Sequence, residues 1–80
     1  MKADATLDCL GLYCPMPIVR TKEKIDALDP GRVLEVLADD QGVKADMAAW
    51  CRRTGNELLG MEEKSGQIRL LVRKARAALK

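Results

Sequence analysis

Eighty residues suffice for one small domain spanning 1–80 and not for two. The composition, 48% hydrophobic and 32% charged, is that of a globular domain, with no apolar run long enough to span a membrane. A formal net charge of only +2 and a single Tyr and Trp with no Phe argue against a general field for nucleic acid and against an aromatic stacking platform, so direct nucleic-acid binding is not expected.

The first segment, "ATLDCL", alternates weakly. Ala5, Leu7 and Cys9 fall on one side and Thr6 and Asp8 on the other, which predicts a strand over about residues 4–9 followed by a turn at Gly11. From Pro17 to Leu28 the period becomes helical. Ile18, Ile25 and Leu28 share a face, while Arg20, Lys22, Glu23, Lys24 and Asp26 lie mostly away from it. "DPG" at Asp29–Gly31 stops this helix, because Pro30 disfavours helical dihedrals at Asp29. "RVLEVLA" reads as a central strand, interrupted only by Glu35. In the loop "DDQG", Asp39 or Asp40 is placed to cap the next helix. Val43, Met47, Trp50, Cys51 and Thr54 then recur on one helical face. Gly55 is the expected stop, with Arg52 and Arg53 suited to the negative end of the dipole. "NELLGMEEK", the turn "SG" and "QIRLLVRK" predict a closing antiparallel hairpin, and the tail "ARAALK" a further helical turn. The order is β-α-β-α-β-β. The fold class expected is a two-layer α/β (α+β) sandwich, with a mixed four-stranded sheet and two helices on one face.

The chemistry concentrates in "LYCPMP". A proline at the first helical position loses no hydrogen bond, so "CPMP" marks a helix start and sets Cys14 at or just before it. Pro15 also biases Cys14 away from helical dihedrals. A thiol there stands near the N–H groups and positive dipole end of a helix, which favours the thiolate. Arg20 or Lys22 would add to this if either side chain reached back. Pro15 and Pro17 stiffen and shape the surroundings, and Arg20, Lys22 and Lys24 form a basic rim able to face an acidic partner. No histidine is present, which removes the usual partner of a nucleophilic cysteine and a common zinc ligand. The spacings of Cys9, Cys14 and Cys51 match no zinc pattern, so neither a metal nor a cofactor is expected. Cys9 is read as a packed strand residue and Cys51 as a buried one beside Met47 and Trp50. Asp4 and Asp8 stand where a signal peptide needs an apolar stretch. Together with three cysteines that cannot all pair, this leads to an expected cytoplasmic location.

"LDCLGLYCPMP" resembles the signature of the TusA/SirA family of small sulfur carriers, whose hallmark is Cys-Pro-x-Pro near the N-terminus. The likeness runs over essentially the whole chain. It includes Leu7, Asp8, Gly11 and Leu12 in the lead-in, "ADD" at Ala38–Asp40, Asp46, and "WC" at Trp50–Cys51. The resemblance implies a two-layer β-α-β-α-β-β fold and a sulfurtransferase that works as a stoichiometric persulfide carrier. Cys14 would accept sulfane sulfur from a cysteine desulfurase or rhodanese-like donor and relay it to an acceptor protein. Family members serve tRNA thiolation, molybdenum cofactor assembly, sulfur oxidation and selenium metabolism, and nothing in the sequence selects among these. Two other classes compete. One is a non-catalytic protein- or RNA-binding regulatory module using the helix face and Arg52–Arg53, indifferent to Cys14. The other is a Cys9/Cys14 thiol redox switch, which needs both thiols close together.

Overall fold

The computed structural model describes residues 3–13 and 15–75. Its elements are β1 (Ala5–Asp8), α1 (Met16–Asp26), β2 (Val33–Ala38), α2 (Val43–Thr54), β3 (Glu57–Lys64) and β4 (Gln67–Arg73). This is the order read from the sequence. The helical turn expected of the tail lies outside the described residues beyond position 75.

The sheet runs β1-β2-β4-β3. β1 lies parallel to β2, while β4 is antiparallel to both β2 and β3, so the sheet is mixed. β2 is interior, as its Val- and Leu-rich pattern requires. Leu34, Val36 and Ala38 of β2 enter the core with Ile68, Leu70 and Val72 of β4. Both helices cover that face: Ile25 of α1 and Val43, Met47, Trp50 and Cys51 of α2 complete the cluster. Glu35 does not break the core, because its position in the pleat faces it the other way. There it accepts hydrogen bonds from Arg69 and from the Thr6 hydroxyl. Arg69 also pairs with Glu62, and Arg73 with Glu57, so ion pairs on the uncovered face join β2, β4 and β3, and the Thr6 hydroxyl ties in β1.

Local chemistry sets the boundaries. α1 extends from Met16 to Asp26, slightly short of Leu28. Its last turn tightens, with Ala27 N–H donating to Lys24 and Leu28 N–H to Ile25. α2 ends at Gly55, whose φ of +83° is the left-handed conformation a glycine tolerates best. The hairpin turn uses Ser65 and Gly66, both at positive φ, as a two-residue turn matching strand twist demands. Neither Asp39 nor Asp40 caps α2 with its side chain. Gly42 is the N-cap, Asp40 accepts the Gly42 N–H, and Asp39 turns to a different loop.

Candidate functional site around the start of α1

The site is built from the loop between β1 and α1 and the first turn of α1. Cys14, the predicted reactive residue, lies outside the described residues. Its neighbours on both sides are described, and they fix the frame of the motif.

The loop is tied down at each step. Cys9 N–H donates to the Leu37 carbonyl at 2.7 Å, extending the β1–β2 pairing by one residue. Asp8 Oδ1 accepts the Leu10 N–H at 2.9 Å. The Asp39 carboxylate accepts the Gly11 N–H at 3.1 and 3.2 Å. Leu12 N–H reaches the Cys9 carbonyl at 3.2 Å, and Met16 N–H donates to the Tyr13 carbonyl at 2.8 Å across the motif cysteine. Gly11, at φ +82°, provides the left-handed turn that brings the chain back over the end of β2. Asp39 is a site-shaping residue the sequence reading assigned elsewhere. The signal was available: β1 and β2 pair in parallel, so the acid after β2 sits beside the loop after β1.

The two prolines have different roles. Pro17 is fully buried and packs α1 onto the sheet layer. The carbonyl of Pro17 also accepts the buried Thr21 hydroxyl at 2.7 Å. Pro15 is exposed and lines a cleft of about 170 Å³ between the helices, together with Ile18, Asp46, Ala49, Trp50 and Arg53. The cleft was not foreseen from the sequence, since it depends on how α1 and α2 cross.

The helix start differs from expectation in one respect. Unpaired N–H groups were expected beside position 14, but the first turn offers none. Pro15 and Pro17 have no N–H, Met16 donates to Tyr13, and Ile18 and Val19 both donate to the Pro15 carbonyl. What remains is the helix dipole, with no acidic residue in the first turn to oppose it.

The three basic residues also divide. Lys22 Nζ pairs with Asp26 at 2.8 Å, one turn further along α1 and away from the motif. Arg20 and Lys24 are exposed and make no ion pair with any described residue. The positive charge of Arg20 slightly offsets the upward shift that burial and Asp8 impose on the Cys9 thiol.

Cys9 is 0% and Cys51 4% exposed, and both thiols are free. Burial pushes the Cys51 thiol up to about 11. It raises Cys9 too, with Asp8 adding to the shift and Arg20 partly opposing it. Both thiols are therefore protonated at neutral pH and poor nucleophiles. Among the described residues no group of three or more His, Cys, Asp or Glu could hold a metal ion, and no helix is long and apolar enough to cross a membrane.

The family model described as sulfurtransferase TusA matches residues 5–74. The sulfur carrier protein TusA of Allochromatium vinosum is 42% identical over 72 residues, covering 90% of this chain and 95% of that protein. YrkF of Bacillus subtilis is 49% identical over 74 residues, and the chain spans only 40% of its length, whereas YrkI of the same organism is 43% identical and is spanned to 99%. The crystal structure of a SirA-like protein from Desulfitobacterium hafniense superposes with a TM-score of 0.72 at 27% identity, over 90% of this chain and 99% of that one. The family model spans residues 5–74 and a relative spanned over 95% of its length is 42% identical, so the chain belongs to the TusA/SirA family of sulfur carriers.

Proposed function

We propose that the chain carries sulfane sulfur as a persulfide on Cys14, receiving it from a cysteine desulfurase or rhodanese-type protein and passing it to an acceptor protein. The observation that carries the reading is the burial of the other two cysteines. Cys9 and Cys51 are buried with raised pKa values, which leaves the cysteine between exposed Tyr13 and exposed Pro15 for the chemistry.

In loading, the Cys14 thiolate attacks the terminal sulfur of the donor's persulfide. One S–S bond forms on Cys14 as the donor's S–S bond breaks, and the donor sulfur leaves as a thiolate. No oxidant or reductant is consumed, and no general base is needed once the thiolate exists. The positive end of the α1 dipole favours that thiolate. Backbone hydrogen bonds tie the loop down on both sides of the motif cysteine, which lowers the cost of ordering it on a donor. Burial of Cys9 weighs against the Cys9/Cys14 redox switch, since an attacking Cys9 would have to leave the core.

The test is loading in cysteine variants. After exposure to a desulfurase and cysteine, intact mass should show one added, reducible sulfur atom in the wild type, Cys9→Ser and Cys51→Ala, and none in Cys14→Ser. Uptake by Cys14→Ser would refute the assignment. Failure of the wild type to load from any donor would favour a non-catalytic binding module.

A further inference from the structure

Five large apolar side chains stand exposed among the described residues, and four of them flank the motif: Leu10, Tyr13, Met16 and Val19. Leu10, Met16 and Val19 are 40–41% exposed, and Tyr13 is 75% exposed. Met16 and Val19 are three residues apart and share a face of α1. Tyr13 leaves a fixed backbone: its carbonyl accepts the Met16 N–H at 2.8 Å, and Leu12 before it donates to Cys9 at 3.2 Å. Its hydroxyl makes no hydrogen bond with any described residue. An aromatic exposed to this degree gains nothing for the isolated domain, and it has the form of an interface anchor, which has few rotatable bonds to fix when buried by a partner. The patch continues through Pro15 and Ile18 into the cleft against α2.

Charge indicates what covers this surface. The two helices carry six basic and three acidic residues, whereas the four strands carry three basic and five acidic. A second copy would bring two basic helix layers together, which like charge opposes. A small-molecule persulfide would need no anchor so far out in solvent. We propose that Tyr13 is the aromatic anchor by which the domain docks on its sulfur donor, entering an apolar pocket with an acidic rim while Leu10, Met16 and Val19 seal the contact. This rests on the carrier reading above.

The experiment compares wild type, Tyr13→Ala and Tyr13→Phe with two kinds of sulfur source. One is protein: a cysteine desulfurase supplied with cysteine and a rhodanese-type enzyme supplied with thiosulfate. The other is inorganic polysulfide, which needs no docking surface. Loading is followed by intact mass, and folding by circular dichroism. With the protein donor that loads wild type, Tyr13→Ala should lose about tenfold or more in kcat/KM, mainly through KM. Tyr13→Phe should stay within about twofold, and all three should load alike from polysulfide. Equal protein-dependent loading of Tyr13→Ala overturns the anchor, as does an equal loss with polysulfide, which would place the effect on the cysteine itself. Wild-type loading from polysulfide but from neither protein also overturns it. Absence of loading from every source refutes the carrier reading instead.

Discussion

At the residue scale, burial withdraws Cys9 and Cys51 from thiol chemistry. Desolvation is the largest cause of the raised thiol pKa at both Cys9 and Cys51. The rise to about 11 at Cys51 has a defined pH consequence. The unfolded thiol ionises near 9.0 and the folded one near 11, so stability contributed by the protonated form is intact below 9.0 and is lost as pH rises through that interval. Alkylation of the native protein at neutral pH should therefore modify Cys14 first, with Cys9 and Cys51 reacting only as fast as the domain opens. Rapid native labelling of Cys51 would show that the phase of α2 is wrong. The same scale separates what the motif revealed from what it could not. "CPMP" correctly marked a helix start, but four letters could not distinguish a buried Pro17 from an exposed Pro15. Nor could they show that the N–H groups of the first turn are already spent. With those donors gone, Arg20 should matter more to the Cys14 thiolate. Arg20→Gln should raise the midpoint of the Cys14 alkylation-rate titration by a few tenths of a pH unit, on the order of a screened surface interaction.

At the scale of elements, the hydrophobic periods were legible because each element has one dry face. The alternation in β4 and the Val43–Met47–Trp50–Cys51 stripe in α2 map directly onto the core. Polar side chains were less legible, since their partners are distant in sequence. Glu35 and Arg69 are 34 residues apart, and Asp39 and Gly11 are 28 apart. Hydrogen bonds from Arg69, and then from Thr6, hold the Glu35 carboxyl below its ordinary value of 4.5. A depressed carboxylate contributes stability above its unfolded pKa and loses it as pH falls through the folded one. Glu35→Gln should therefore flatten part of the acid limb of a stability profile below pH 4.5, which urea midpoints at several pH values would measure. A slope identical to wild type would mean the network is solvated and idle. The loop has its own test. Asp39→Ala removes the acceptor of the Gly11 N–H and should cost about 1 kcal/mol, with faster amide exchange at Gly11. At the end of α2, Gly55→Ala meets no steric neighbour, so its expected cost of about 1–2 kcal/mol comes from the left-handed backbone alone.

For the whole molecule, most of the described buried residues of this small domain form one apolar cluster under two helices. The cleft between the helices, about 170 Å³, is small for a ligand site. The basic helix layer covers the face of the sheet opposite its ionic network. That polarity could be expected only in part from the sequence, because it depends on both helices crossing the same face. The account comes down to one sulfur atom. Wild-type protein is loaded from a donor, its thiols and persulfides are alkylated, and fragment-ion mapping of the peptide spanning residues 3–20 assigns the extra sulfur. The account predicts that sulfur on Cys14, removable by reductant, with Cys9 in the same peptide unmodified. An extra sulfur on Cys9, or on Cys51 elsewhere in the chain, would contradict it.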